Sequence, residues 1–325
     1  MPVEFKTIVL PTRPQPDTLV AIFILKTYGI EKFHGIDKAV VAIWQEMPSG
    51  GTEEELEKKG VLLLDFGSGK LDHHNKEPKT TASNLVVELL GLQNEASLAK
   101  LLEYAKRDDF YGKGTMSADP IDRALGLSGL IASLNKCMPS NPEQIPDYII
   151  PLLWAHHQEE LRRTEEMPRE FETAIKSGKA EVFNVKQRDK NLRVVIISSD
   201  NASLAGFLRS QIGGRHDVVA QQLSSGHTNI LTRPTKHVDL RSLIAIIRLT
   251  ELGMAERDSQ TMYNFSKTGK MEEVQEWYYD PATNSLLNGG LNPKETLATK
   301  IPLTHFRKTL EDGLSEKLWN PIRHY

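Results

Sequence analysis

The stretch VLLLDFGSGKLDHHN, from Val61 to Asn75, joins the pattern of a buried strand to a cluster of polar side chains. Its apolar run, Val61 to Leu64, is typical of a short buried strand. Asp65 ends the run, and Gly67 and Gly69 predict a turn after it. Three polar residues follow the turn: Asp72, His73 and His74. Because ligands of open α/β sheets bind beside the ends of strands, the pattern predicts a site there.

Carboxylate and imidazole groups together suit divalent metals such as manganese, iron or zinc. The alternative is that Asp72 caps a turn and that His73 and His74 are ordinary surface residues. The strand that leads into Asp65 favours the metal site over this alternative, because it brings the acid to the same rim as the histidines.

Strands and helices alternate around this stretch, which predicts a largely parallel sheet. Strands are expected at 7–10 and 39–44, and helices at 53–59, 83–91, 95–106 and 121–134. A second α/β pattern follows, with strands at 180–185, 192–198 and 217–222, and helices at 200–211 and 239–252. The sequence therefore predicts an α/β protein with a metal-binding domain (1–146), a helical linker (147–178, interrupted near Pro151 and Pro168) and a smaller C-terminal domain (179–325).

Length and composition restrict the class of protein. A chain of 325 residues predicts about two domains. The formal charge of −3 gives no overall attraction to nucleic acid, although a local basic groove stays open. The single cysteine, Cys137, excludes an intramolecular disulfide and fits a reducing compartment. No segment approaches the roughly 20 apolar residues of a membrane helix, so a cytoplasmic protein without a membrane partner is expected.

The runs LLLDFG and LDHHN resemble the second and third motifs of the DHH phosphoesterase superfamily. The first motif of that family, His-x-Asn-Pro-Asp-x-Asp, falls here within TIVLPTRPQPDTLVAIFIL, Thr7 to Leu25. Pro14 and Asp17 match this motif. Pro11 and Gln15 stand where the family has a histidine and an aspartate, so two metal ligands of the family are missing.

The resemblance implies one complete metal site and one degraded site. The complete site would take Asp17, Asp65, His73 and an aspartate from LLEYAKRDDFYGKG, the segment 101–114. Asp108 and Asp109 are both candidates for that aspartate, with Asp109 slightly favoured. The resemblance further implies manganese as the metal.

The same resemblance implies roles for two other residues. His74 would act as a general acid or contact the substrate, and Asp72 would orient an imidazole. Arg13 lies inside the altered first motif, where it would replace the charge of the lost metal. The alternative for Arg13 is a solvated loop charge.

A second polar cluster flanks the predicted strand at 217–222, with Arg215 before it and the segment 224–227 after it. Small residues at Ser225 and Gly226 would leave backbone N–H groups free to bind an oxyanion, with Arg215 and His227 contacting phosphate. The segment is similar to the glycine-rich turn in the substrate domain of the DHH family. The alternative is an ordinary hairpin turn.

Two other patterns carry weaker expectations. His156 and His157 are adjacent on a predicted helix and point about 100° apart, so they are not expected to share a metal. Trp277, Tyr278 and Tyr279 could stack a base, but packing in the core is favoured.

The resemblance thus implies a metal-dependent hydrolase of phosphoester bonds, a phosphodiesterase acting on nucleotides or short oligonucleotides. The alternative is a catalytically degenerate relative that binds a nucleotide or another protein. The expected partner is a phosphate-containing small molecule or short oligonucleotide. The oligomeric state is left open, with a homodimer among the alternatives.

Overall fold

The computed structural model describes residues 2–11, 13–112, 114, 116–255, 257–289 and 295–315. The chain divides into two compact units, Met1–Arg162 and Arg163–Tyr325, and each contains a sheet with helices, which confirms the α/β fold class. The units are nearly equal in length, rather than a larger and a smaller domain. Residues 147–178, expected as a linker, are largely helical and are divided between the two units.

The first unit has three parallel strands in the order β2-β1-β3. Its elements are β1 (Thr7–Leu10), α1 (Pro16–Tyr28), β2 (Val40–Ile43), α2 (Glu53–Lys58), β3 (Val61–Leu63), α3 (Ala82–Leu90), α4 (Ala99–Tyr111), α5 (Pro120–Leu125), α6 (Leu127–Cys137) and α7 (Ile145–Leu161). Because all three strands are parallel, their carboxyl ends share one edge of the sheet, as the alternation of strands and helices predicts.

Both faces of this sheet are covered, which explains why its strands are apolar at successive positions. Ile8 and Leu62 face a core that includes α1, a helix buried from Pro16 to Leu25. Val9 and Leu63 face the other side, where Leu56 of α2 covers them. The sheet therefore presents its ends, rather than its faces, to a ligand.

Two helical predictions for this unit need correction. The helix expected at 121–134 is two helices, because the chain turns at Gly126, whose ψ of 157° is extended rather than helical. Pro151 does not interrupt its helix but lies inside α7. The first turns of α7 contain Ile149 and Leu153, both buried, and this packing supports the helix on either side of the proline.

The second unit contains a mixed six-stranded sheet in the order β4-β5-β6-β7-β9-β8. Its elements are α8 (Met167–Lys176), β4 (Ala180–Gln187), β5 (Lys190–Ser198), α9 (Leu204–Arg209), β6 (Val218–Gln222), β7 (Thr228–Thr232), α10 (Arg241–Glu251), α11 (Ser259–Phe265), β8 (Tyr278–Asp280), β9 (Ser285–Leu287) and α12 (Leu303–Leu314). Strands β5 and β6 are parallel neighbours, and the other pairs that the structure describes in this sheet are antiparallel.

The helix expected at 200–211 is shorter, because polar residues before it have other partners. Asp200 accepts a hydrogen bond from Ser224 N at 2.8 Å, and Asn201 donates to Glu170 Oε2 at 2.7 Å. These contacts hold the segment as a loop, and α9 begins only at Leu204.

The aromatic cluster belongs mainly to the core of this unit. Trp277 is fully buried and donates to Glu251 Oε1 at 2.9 Å, and Tyr279 is also buried, whereas Tyr278 is exposed. Packing is therefore the role of two of the three aromatics. Among the helices that the structure describes, none combines the length and apolar composition needed to cross a membrane.

Candidate metal centre

The candidate site lies at the carboxyl edge of the first sheet. Asp65 follows β3, and Pro11 directly follows β1, the central strand. The chain reverses at once after β3, because Asp65 has a φ of +56° and Gly67 one of +74°. At Gly67 a Cβ atom would also come within 3.1 Å of Met47 Sδ. Leu71 is buried in the main core and so anchors the returning chain directly before Asp72.

Asp65 lies between the two histidines. Its Oδ1 atom is 3.0 Å from His73 Nε2 and 3.4 Å from His74 Nδ1. These three residues are the group of potential metal-binding side chains that the described part of the chain brings within 4.8 Å of one another. Asp65 Oδ1 is buried, and no described donor directs a well-aligned hydrogen bond at it. A buried carboxylate oxygen in that condition is suited to a cation.

The ring of His73 is oriented by the backbone. Its Nδ1 donates to the Thr80 carbonyl at 2.9 Å, which leaves Nε2 directed at Asp65. Metal-binding histidines commonly donate the second ring nitrogen in this way. The Asp65 carboxylate raises the pKa of His73 to about 9, against the opposing effect of burial.

Asp72 holds His74 in place. Its Oδ1 is 2.8 Å from His74 Nδ1 and accepts the His74 backbone N–H at 3.1 Å, while Oδ2 accepts from Ser68 N at 2.8 Å. These hydrogen bonds outweigh burial, so the pKa of Asp72 is lowered overall. Asp72 therefore closes the turn, as the alternative interpretation has it, and also orients an imidazole. The His74 side chain is 61% exposed and can meet a substrate from solvent.

Of the two aspartates on α4, Asp109 reaches the site. Its Oδ2 lies 3.8 Å from His73 Nδ1, and burial raises its pKa. Asp108 points elsewhere and accepts a hydrogen bond from Ser128 Oγ of α6. Adjacent residues on a helix point about 100° apart, so both could not face the same centre.

Asp17 occupies a different position from the other predicted ligands. It is buried, its Oδ2 accepts from Ala82 N at 2.7 Å, and its Oδ1 accepts from Ser83 N at 3.0 Å and Ser83 Oγ at 2.5 Å. Burial raises its pKa, although the hydrogen bonds from Ser83 oppose this. In this structure Asp17 binds the amino-terminal end of α3, where a carboxylate satisfies otherwise unpaired N–H groups.

The altered first motif lines the same small cavity, of about 290 Å³, as the centre itself. Pro11 and Gln15 are on its wall, at the positions where the resemblance places the missing ligands. Arg13 is exposed and is not part of that wall. The role predicted for Arg13 as a replacement charge thus has no support from the lining of the cavity.

The residue set fits a divalent cation, because it combines one buried carboxylate, one pre-oriented imidazole and a second carboxylate close by. The sequence did not identify Thr80 and Ser68. Both act through backbone groups, which every residue has, so no side-chain signal marks them.

The second predicted cluster is not one site. Arg215 precedes β6 and the Ser224–His227 turn follows it, so a strand about 17 Å long separates them. They cannot hold one phosphate together. The turn is the hairpin of the alternative interpretation, since β6 and β7 are antiparallel and Gly226 has a φ of +85°.

His227 is already engaged within the hairpin. Its Nε2 donates to the Thr296 carbonyl at 2.8 Å, and its Nδ1 is 3.0 Å from Ser225 Oγ. The ring therefore connects the turn to the segment that contains Thr296. His157, the buried member of the other histidine pair, lies 2.7 Å from the Tyr28 hydroxyl, while His156 is exposed.

Comparisons with known proteins add little. No family model and no curated protein matches this sequence. A solved structure of an uncharacterized protein from Helicobacter pylori G27 aligns with 75% of this chain and 89% of its own, at 13% identity and a TM-score of 0.28. A likeness at this level supports no conclusion about fold or activity.

Proposed function

We propose that the protein is a divalent-metal-dependent hydrolase of phosphoester bonds, with manganese as the favoured metal and a nucleotide or short oligonucleotide as the substrate. The observation that carries the proposal is the cluster of Asp65, His73 and His74, in which a buried Asp65 oxygen lies 3.0 Å from one imidazole and 3.4 Å from the other. The resemblance of the 61–75 stretch to the DHH phosphoesterases supplies the reaction class. The single cysteine favours a cytoplasmic enzyme.

Asp65 and His73 would hold the metal, with Asp109 completing the set. A divalent metal bound there would polarise a phosphoryl oxygen and lower the pKa of a bound water. Thr80 directs His73 Nε2 toward Asp65, and a metal bound there would take the place of the proton on that nitrogen. His74, oriented by Asp72 and exposed at its outer edge, would give a proton to the leaving oxygen.

The proposal is tested by metal content and turnover in the same samples. Wild-type protein loaded with Mn²⁺ should bind metal and hydrolyse a nitrophenyl phosphodiester, a dinucleotide or a cyclic dinucleotide. Asp65→Asn and His73→Ala should lose both properties. Absence of metal-dependent turnover on all of these substrates and on pyrophosphate would contradict the hydrolase.

The two aspartates on α4 provide a matched control. Asp109→Asn should weaken Mn²⁺ binding about ten-fold or more, because it removes a charged group beside His73. Asp108→Asn should not, because its side chain bonds Ser128 and an amide oxygen can accept the same hydrogen bond. If the two substitutions change the Mn²⁺ affinity equally, then α4 contributes no metal ligand.

One observation favours a second function, that of a binding protein with at most one metal. Pro11 and Gln15 line the cavity where the resemblance expects a histidine and an aspartate, and neither offers a charged ligand. Tight nucleotide binding with no turnover by the Mn²⁺-loaded protein would favour this function over catalysis.

A further inference from the structure

Positive charge is concentrated at one edge of the second sheet. Strand directions place the β4–β5 turn, the start of β6, the end of β7 and the β8–β9 turn at this edge, opposite the Ser224–His227 turn. The chain as a whole has a formal charge of −3. The cations of this edge are Lys186, Arg188, Lys190, Arg193, Arg209, Arg215, Arg233 and Lys236.

Three of these cations are held by backbone carbonyls. Lys190 Nζ donates to Lys236 O at 2.7 Å and to His237 O at 3.0 Å. Arg193 Nη1 donates to Gly214 O at 3.0 Å, and Arg209 Nη1 donates to Thr232 O at 2.7 Å. Throughout the described residues, no carboxylate forms an ion pair with these three. A carbonyl satisfies a donor but does not neutralise a charge, so their positive charge is uncompensated.

The buried and half-buried acids nearby are already paired. Asp217 lies 2.7 Å from Arg233 Nη2 and 3.8 Å from Lys236 Nζ. Asp239 accepts from Arg241 Nη2 at 2.6 Å. Neither carboxylate is therefore available to balance Lys190, Arg193 or Arg209.

A cavity of about 940 Å³ opens at the same edge. Arg209, His237 and Arg241 bring polar groups to its lining, and Leu231, Val238 and Tyr279 contribute apolar surface. Asp239 and Asp280 also line it. Asp239 is paired with Arg241, and the two oxygens of Asp280 accept from Ala282 N at 3.0 Å and Thr283 Oγ1 at 2.6 Å within the β8–β9 turn. The volume suits a ligand of nucleotide size, and the lining combines apolar walls with a few polar groups.

Two arginines line this cavity, and Arg209 differs from Arg241 because no described carboxylate pairs with it. It is half-buried, and burial with no opposing acid lowers its pKa. Burial of a charge without an opposite charge is costly, so an anion that entered the cavity would relieve that cost.

We propose that this cavity binds a phosphate-bearing small molecule of nucleotide size, with Arg209 and His237 contacting the phosphate and the apolar walls receiving a ring. Lys190, which is bonded to the carbonyl of His237, adds charge at the rim. The site lies wholly in the second unit and does not depend on the proposed metal chemistry.

The test is calorimetric titration of the full chain in EDTA with AMP, inorganic phosphate and adenosine. AMP should bind more tightly than either fragment. Arg209→Gln should weaken AMP binding about ten-fold or more, since it removes a charged contact. His237→Asn should also weaken it, and asparagine tolerates the positive φ of +45° at this position. If circular dichroism shows that Arg209→Gln is not folded, the AMP affinity of His237→Asn decides the test.

Two control variants test whether AMP binds at this cavity rather than elsewhere on the chain. Arg169→Gln removes an exposed arginine of the same unit and should leave AMP binding unchanged. Asp65→Asn should also leave it unchanged. Loss of AMP binding in Asp65→Asn, unchanged binding in both cavity variants, or no AMP binding at millimolar concentration would each overturn the proposal.

Discussion

His74 and His73 are neighbours in sequence but differ in surroundings. The side chain of His73 is 10% exposed and bonded to the backbone, while that of His74 is 61% exposed and bonded to Asp72. A metal ligand gains from a fixed, buried ring, whereas a proton donor must reach the substrate. The two histidines therefore have different roles in the proposed chemistry, and substitutions can separate them.

His74→Asn should lower kcat about 100-fold while Mn²⁺ affinity changes little, because it removes a proton donor and leaves Asp65 and His73 in place. A stopped assay on a dinucleotide measures kcat, and titration of the same preparation with Mn²⁺ measures the metal affinity. If His74→Asn loses the metal as completely as His73→Ala does, then His74 is a ligand rather than an acid.

Asp17→Ala should lower the free energy of unfolding by about 2–4 kcal/mol even in EDTA. The reason is that Ala82 and Ser83 lose their acceptor at the start of α3. Urea unfolding followed by circular dichroism measures the change, with the exposed Glu31→Ala as control. A variant that is as stable as wild type in EDTA, but binds Mn²⁺ more weakly, would instead assign Asp17 to the metal.

At the residue level, the structure confirms that Asp65 lies just after a strand, and its role as a metal ligand stays a prediction. Asp65 was placed correctly because an apolar run fixes where a buried strand ends. The choice between Asp108 and Asp109 could not be made, because it depends on how α4 is rotated about its axis, which packing determines. The metal-ligand role predicted for Asp17 rests on motif spacing, and nothing in that spacing indicates that α3 begins beside this residue.

At the level of elements, segments with a clear hydrophobic pattern were predicted well and segments without one were not. The strand at Thr7–Leu10 and the helix at Arg241–Glu251 lie within one or two residues of expectation. β8 and β9 have three residues each, too few to show alternation. The sequence analysis predicts no strand at β7, and it expects Arg215 and His227 at one phosphate although β6 lies between them.

The contact between α1 and α7 supplies a pH-dependent part of the stability of the first unit. Burial lowers the pKa of His157, whose ring packs against Phe23 and Tyr28. Below about pH 6.5 the unfolded chain takes up a proton that the folded chain resists. The contribution of His157 is therefore present above that pH and is lost as the pH falls.

The free energy of unfolding should thus decrease from pH 7 to pH 5, and His157→Gln should reduce the decrease. Glutamine is chosen because it can still accept from the Tyr28 hydroxyl. The adjacent, exposed His156 gives a matched control, since His156→Gln should retain the full decrease. If the free energy of unfolding depends on pH in the same way in both variants, His157 is not the source of the decrease.

At the level of the whole molecule, each unit has its own hydrophobic core, one around α1 and the other around β5, β6 and α10. The sequence predicted two α/β parts because the alternation of strands and helices begins again after the helical segment. It could not fix the boundary at Arg162 and Arg163, because a helical run offers no change of composition at that point. Separate cores imply that damage to one unit can leave the site of the other intact.

Arg248 provides the test of that separation. Arg248 is fully buried on α10. Its guanidinium donates to Phe265 O at 3.0 Å, Lys267 O at 2.7 Å and Gly269 O at 2.6 Å, and so connects residues 265–269 to α10. Burial lowers its pKa to about 10, which leaves it charged at neutral pH. Arg248→Met should lower the free energy of unfolding by about 3 kcal/mol, because three carbonyls lose this donor and, among the described residues, only Gly269 O keeps another, Tyr279 N.

Mn²⁺ affinity in Arg248→Met should nevertheless equal that of wild type at a temperature where the variant is folded, because the proposed ligands all lie in the first unit. Calorimetric titration at about 15 °C, near the temperature of maximum stability for many proteins, measures the affinity. Arg169→Met, which replaces an exposed arginine in the same unit, controls for loss of charge. A fall in affinity that follows the loss of stability would show that the metal centre depends on the second unit. An unchanged affinity would establish that the centre is built by the first unit alone.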